Sequence, residues 1–274
     1  MLALRQARPA DWSDFQLLAT AEGWKVPQLE RQLFQGPWSQ HALVLADGDS
    51  FCGLITALPH QRSGWIGNLL VAPQLRGRGY GAKLFAAGLA LLREQGLSSL
   101  WLTASALGRP IYAQSGFVSV DRIERWVLPP RNTAPSSPTA VKNADWETLL
   151  AADSSAWSEN RAALLEPFGR QNLIFGDADA VALLQKGTDF QIIGPWYART
   201  PCLATNFHLL QQLTAAADPS RDLSIDLIAS SPMRSLLATA GFIRSGQNEL
   251  MACGDTSSVA LERMVALASL GSVG

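Results

Sequence analysis

The chain has 274 residues, a formal net charge of -1 and a pI near 6.3; 47% of it is hydrophobic and 16% charged. That length suits one large domain or two of ordinary size, with enough apolar material for a packed core rather than disorder. The near-neutral balance argues against a general nucleic-acid-binding surface, leaving only a local basic patch open, and three dispersed cysteines (Cys52, Cys202, Cys253) argue against a disulfide frame or a CxxC metal site.

The start, MLALRQARPADW, has no long apolar run behind a basic end, so no signal peptide is expected. No stretch is long and apolar enough to span a membrane, and a reducing, cytoplasmic setting is expected. His41, His60 and His208 lack metal-ligand spacing, and no metal is expected.

In chain order, LALRQA reads as a strand and PADWSDFQLLATAEGW as a helix that Asp11 can cap. QHALVLADGDSFCGLITALP reads as a hairpin turning at Asp47-Gly48. GWIGNLLVAP is a strand ended by Pro73. From about Gly79 to Gln95, Leu84, Leu89, Leu91 and Leu92 fit a helix that Gly96 stops. LSSLWLTA is a strand, GRPIYAQ a short helix and GFVSVDRIERWVL a closing strand. This is a mixed α/β pattern.

Four prolines between Leu128 and Ala140 forbid a regular helix or central strand and predict a Pro/Ser linker over 129–140. It separates a domain over 1–128 from one over 141–274. The two halves repeat. Aligned on Gly116-Phe117 and Gly241-Phe242, the residues Ser99, Leu102, Ala104, Ser105 and Ala113 meet Ser224, Leu227, Ala229, Ser230 and Ala238. ADW at Ala10–Trp12 recurs at Ala144–Trp146, and Trp24 has a counterpart in Trp157. Together, in one order, these matches predict a duplicated domain. The tail ALERMVALASLG is expected to add a final strand.

VAPQLRGRGYGAKL, Val71 to Leu84, places Gly77, Gly79 and Gly81 between a strand and a helix, with Arg76 and Arg78 beside them. A helix start has unpaired amides and the positive end of the dipole, and glycine lets them approach a phosphate. A P-loop pattern fails at Gly81-Ala82-Lys83. A dinucleotide fingerprint fails at Leu84 or Tyr80. The pattern [RQ]-x-x-G-x-[GA] fits Arg76 to Gly81.

Here the sequence resembles the GNAT superfamily of acyl-CoA-dependent N-acyltransferases. IGNLLVAPQLRGRGYGAKLF is similar to the family's fourth strand, pyrophosphate loop and helix; LWLTASALGRPIYAQSGF is similar to its fifth strand and Tyr-x-x-x-Gly-Phe segment. The resemblance implies two tandem domains, each a mostly antiparallel sheet flanked by helices. It also implies an enzyme moving an acetyl or other short acyl group from acetyl-CoA, or another acyl-CoA co-substrate, to an amine. Leu69, Leu70 and Val71 would pair with the pantetheine arm, and Arg76, Gly77, Arg78, Gly79, Tyr80 and Gly81 would hold the pyrophosphate. Tyr112 would be the general acid for the leaving thiolate. The base is not legible; Asn68 could orient a water, while Glu22, Trp24 and His60 could line the acceptor site.

In the second half, Gly77, Gly79 and Gly81 meet Cys202, Ala204 and Asn206, and Tyr112 meets Leu237. This copy is expected to be degenerate. The alternative reading is a module that senses acyl-CoA or binds protein without turnover. A small amine or a peptide N-terminus is the expected acceptor, with no nucleic acid or membrane partner, and a monomer or homodimer is expected.

Overall fold

The structure is a computed structural model and describes residues 2–97, 99–131, 144–170 and 172–274. Residues 132–143, which include most of the predicted 129–140 linker, lie outside the described residues. The chain divides into two compact units. Unit 1 is Met1–Val120 with Leu250–Asp255 and Leu270–Gly274; unit 2 is Asp121–Glu249 with Thr256–Ser269. The division therefore falls at Val120, inside a strand, rather than in the proline-rich stretch, and unit 1 draws two late segments of chain that the 1–128 expectation left out.

Unit 1 begins with β1 (Leu2–Gln6), α1 (Asp11–Ala21) and α2 (Gln28–Gln35). There follow β2 (Ala42–Asp47), β3 (Ser50–Pro59), β4 (Ser63–Val71), α3 (Tyr80–Arg93), β5 (Ser99–Ala104) and α4 (Arg109–Ala113). The sheet runs β1-β2-β3-β4-β5, antiparallel until β4 and β5, which are parallel. Trp12, Phe15 and Ala19 recur at helical spacing and are buried on α1, where Trp12 stacks on Phe34 of α2 at 5.6 Å. Leu84, Phe85, Leu89 and Leu92 bury the inner stripe of α3 in a core with Ile55, Ile66 and Leu102. Asp11 does not cap α1; Ala10 holds that position. The Asp11 carboxylate accepts instead from the Arg5 guanidinium (2.6 and 2.7 Å) and the Arg8 amide (2.6 Å). Burial pushes the Asp11 pKa up, but these partners outweigh it and hold the group below the ordinary carboxylate value.

Unit 2 repeats this order without the first strand. It holds α5 (Trp146–Trp157), α6 (Ala162–Gly169), β7 (Leu173–Gly176), β8 (Ala180–Gln185), β9 (Phe190–Ala198), α7 (Leu203–Ala216), β10 (Asp222–Ile228) and α8 (Arg234–Thr239). The strand β6 (Val118–Leu128) enters it from Asp121 onward, and β11 (Ile243–Cys253) leaves it after Glu249. β9 and β10 form the parallel pair, as β4 and β5 do. The helices α3 and α7 have the same length, 14 residues. Element order, strand direction and helix length thus agree on a duplicated mixed α/β fold with mostly antiparallel sheets flanked by helices.

One difference decides what the copies can do. In unit 2 a short strand from the tail, β12 (Met264–Ala266), lies in the parallel pair, with Ala266 opposite both Leu227 of β10 and Trp196 of β9. A Cβ on Gly194 would stand 2.0 Å from the Leu267 carbonyl oxygen, and the Gln185 amide donates to the Gly194 and Ala268 carbonyls at 2.6 Å each. The gap between β9 and β10 is filled by the protein's own backbone.

Among the described residues, no helix is long and apolar enough to cross a membrane.

Unit 2 also buries an ion pair. Arg161 and Asp153 are 2% and 1% exposed; Arg161 Nη2 donates to Asp153 Oδ2 at 2.8 Å, and the Tyr197 hydroxyl donates to the same oxygen at 2.6 Å. The Arg161 guanidinium lies 4.2 Å from the Trp157 ring centroid. Removing one partner leaves the other charge buried without compensation, so Asp153→Ala should cost about 3–5 kcal/mol in denaturant unfolding. Replacing both by leucine should cost much less than that single change.

Candidate acyltransferase site

The site is built where β4 leaves β5. The parallel ladder runs from Ser63↔Ser99 to Ile66↔Leu102 and stops there. On the other side of β4, the pairs Thr56↔Gly67 and Leu54↔Leu70 leave Asn68 and Leu69 opposite Ile55 alone. This is a bulge, and Asn68 takes the left-handed conformation it needs, at φ 54°. The Asn68 side-chain amide donates to Thr56 Oγ1 at 3.3 Å, which fixes the bulge to the buried Thr56. The extra residue bends β4 and redirects the amides and carbonyls of Leu69, Leu70 and Val71 beyond the last pair.

At the end of β4 the chain passes through a single 3-10 turn, Pro73–Leu75, into the glycine stretch. Gly77 and Gly79 both have positive φ, 73° and 80°, and Gly79 is the N-cap of α3. Nothing lies within 4 Å of where a Cβ would stand at either. The glycines are required by conformation, and the space above them is open. The first helical bond runs from the Lys83 amide to the Gly79 carbonyl at 3.0 Å. The amides of Tyr80, Gly81 and Ala82 precede it, at the positive end of a 14-residue helix. Arg78 and Lys83 are exposed beside them. A cradle of this kind fits a pyrophosphate.

Arg76 is engaged differently from its flanking glycines. Its Nε donates to the Val71 carbonyl at 2.9 Å and its Nη2 to Glu22 Oε1 at 2.8 Å. It ties the loop to the end of β4 and to the residue after α1. Glu22, read from sequence as an acceptor-lining residue, is placed on this arginine. Trp24 is 37% exposed, with its amide bonded to the Ala19 carbonyl at 2.8 Å. His60 Nδ1 lies 3.2 Å from Ser63 Oγ at the far end of β4, away from the bulge.

Tyr112 sits on α4 with its ring 4.8 Å from Phe85 of α3. It is 7% exposed. Its ring crosses Gly108 so closely that a Cβ there would stand 2.8 Å from the hydroxyl. Among the described residues the hydroxyl makes no hydrogen bond, so it remains able to donate to a further group. Burial pushes its pKa well above the ordinary phenol value.

Sequence reasoning missed the opposite face of the fork. Gly67 stands directly against residues far along the chain: a Cβ there would meet Ser272 Cα at 2.8 Å and the Gly271 carbonyl at 3.1 Å. The Trp65 indole donates to the Gly271 carbonyl at 3.1 Å across 206 residues of sequence. The Ser272 hydroxyl donates to the buried carboxylate of Glu30 on α2. No local signal carries such a contact.

In unit 2 the equivalents are lost. Cys202 is the N-cap of α7, so it corresponds to Gly79; Ala204 then corresponds to Gly81, two positions from the sequence alignment. The glycine-free conclusion stands in either register. Leu237, the counterpart of Tyr112, is fully buried.

Residues 4–117 match the family model for the acetyltransferase (GNAT) family. Three solved structures share the fold over almost the whole chain. A protein of Pyrococcus horikoshii assigned to the acetyltransferases has a TM-score of 0.79 at 20% identity, over 98% of this chain and 94% of that one. A GCN5-related N-acetyltransferase of Sphaerobacter thermophilus has a TM-score of 0.65 at 17% identity, over 94% and 98%. A Thermoplasma acidophilum protein, likewise assigned to the acetyltransferases, has 0.59 at 12%, over 92% and 100%. No curated protein sequence matches. The bulged fourth strand, the glycine cradle opening α3 and the match to the acetyltransferase (GNAT) family model coincide on one stretch of chain, residues 4–117.

Proposed function

We propose that unit 1 transfers an acetyl or other short acyl group from coenzyme A to a primary amine by direct attack, and that unit 2 binds no acyl-CoA. The observation that carries this reading is the bulge at Asn68, two residues beyond the last β4–β5 pair. Past that pair the β5 side of β4 could hold a thioester carbonyl, and the glycine cradle follows the strand's end, after the Pro73–Leu75 turn.

The parts then act in order. The amides of Gly77 to Gly81 and the exposed Arg78 hold the pyrophosphate, while the backbone of Leu69 to Val71 lies along the pantetheine. Arg76 serves the loop by anchoring it to Val71 and Glu22. The neutral amine attacks the thioester carbon, and the new C–N bond forms as charge gathers on the carbonyl oxygen. The C–S bond then breaks, Tyr112 gives its proton to the departing thiolate, and the proton lost by the acylated nitrogen passes to water, from which Tyr112 is reprotonated. A raised pKa keeps Tyr112 protonated throughout the physiological range, which suits an acid and not a base. Asn68 cannot take a proton; with its amide on Thr56 it supports the bulge. A small molecule or a peptide N-terminus could supply the amine. A second reading, acyl-CoA sensing without turnover, has no observation of its own to favour it over transfer.

Titration calorimetry should give one acetyl-CoA per chain, because the second gap is filled by β12; two equivalent sites would overturn the assignment of unit 2. Gly79→Asp places a side chain and a negative charge on a residue at φ 80° in the cradle. It should abolish acetyl-CoA binding by calorimetry, with the fold kept by circular dichroism and the thermal midpoint lowered by the left-handed strain.

Tyr112→Phe keeps the ring and should lower kcat by ~10²–10⁴-fold, with KM for acetyl-CoA moving far less. A kcat within twofold of the parent, with chemistry rate-limiting, removes Tyr112 as the acid. Because Tyr112 stays protonated, the rising limb of kcat/KM against pH should follow deprotonation of the acceptor ammonium. It should shift when the amine is exchanged for one of different pKa.

A further inference from the structure

The segment Leu270–Gly274 belongs to unit 1 and stands on the side of the fork that the cofactor reading leaves unexplained. Its backbone covers both strands where they part. Ser272 lies on Gly67, the residue before the bulge, and a Cβ on Gly271 would stand 2.8 Å from Thr103 Oγ1, one residue beyond the last ladder pair on β5. Three anchors hold it. The Trp65 indole donates to the Gly271 carbonyl, the Ser272 hydroxyl donates to Glu30, and Gly274 abuts the Trp65 ring. Ser272, Val273 and Gly274 are buried, while Leu270 and Gly271 are half-exposed at the edge. Gly67 is fixed as glycine by this contact, since any side chain would collide with the Ser272 backbone.

Resting on the acyl-transfer reading above, we infer that Leu270–Gly274 forms a wall of the acceptor site and restricts the acceptor to slender primary amines, unbranched at the carbon bearing nitrogen. An attacking nitrogen must come within ~3–3.5 Å of the thioester carbon, in line with it. That carbon is expected where β4 and β5 separate, and the segment fills the space over Gly67 and Thr103 on one flank of the approach. A substituent on the carbon next to nitrogen points sideways at this wall. A linear chain trails away from it. The wall is held from beneath by Glu30 and Trp65, so it cannot swing aside without exposing a buried carboxylate.

The test compares propylamine with isopropylamine, which differ in branching beside nitrogen and little in basicity. Free thiol release from acetyl-CoA gives kcat/KM for each with the full chain, with a chain lacking residues 271–274, and with Gly271→Ala. The parent should prefer propylamine by about 10-fold or more, the ordinary scale for a misplaced methyl group. Deletion should bring the ratio to within about threefold, mostly through isopropylamine, with acetyl-CoA affinity by calorimetry unchanged.

Should the deletion fail to fold, Gly271→Ala decides, because it keeps the buried Ser272–Gly274 stretch and forces the wall to move against Thr103. A ratio altered by about fivefold or more supports the inference. A parent that turns over both amines equally, or variants that keep the parental ratio, overturn the wall alone. A parent that binds acetyl-CoA and acylates neither these nor any other amine in a panel overturns the transfer reading, and the wall with it.

Discussion

Everything in unit 1 depends on β4 being held to β5 for four pairs and then let go. Ser63 to Ile66 are fixed by parallel hydrogen bonds, and past them the strand cannot close again because Asn68 adds a residue on the β3 side. A sheet normally satisfies its central strands on both edges. Here the β5 edge of a central strand carries no ladder pair past Ile66. The arrangement costs pairing energy and a left-handed Asn68, and it is supported by a fully buried Thr56 that accepts from the asparagine.

The second unit has the same parallel pair and resolves the same problem in another way. There β12 lies between the parallel strands and pairs with both of them. Loss of the glycines and of the tyrosine counterpart is then one part of a larger change. With the gap closed by the chain itself, nothing further requires positive φ at the start of α7 or a hydroxyl at Leu237. Unit 2 instead invests in burial, with a closed Arg161–Asp153–Tyr197 cluster.

The local parts of this picture were legible in the sequence. Turn glycines, the DG hairpin, the Tyr80–Arg93 apolar stripe and the glycine cradle are all short-range signals, and the structure has each of them. Tyr112 entered through the family resemblance, in its Tyr-x-x-x-Gly-Phe segment. What could not be read comes from distance. Glu30 meets Ser272 across 242 residues, and Gly67 owes its identity to a backbone it touches only after folding. Arg76 and Glu22 were seen as separate site residues; their pairing joins the glycine loop to the end of α1. Asp11 looked like a cap because capping is local, but a bidentate arginine on β1 competes for the same carboxylate. The two-residue slip at α7 arises because glycine-phenylalanine marks fix register near α8 and say nothing of loop length before it.

The interleaving of the two units has a consequence for biogenesis. A ribosome releases the N-terminal part first, and domains ordinarily fold in that order as they emerge. Here the core around Phe85 and Phe117 includes Met251, and the Trp65 indole finds its partner at Gly271. The first unit is therefore incomplete throughout synthesis of the second, and its exposed sheet must be tolerated until residues 250–255 and 270–274 are made. A cut in the proline-rich stretch would take Met251 from the first unit's core and Gly271 from the Trp65 indole.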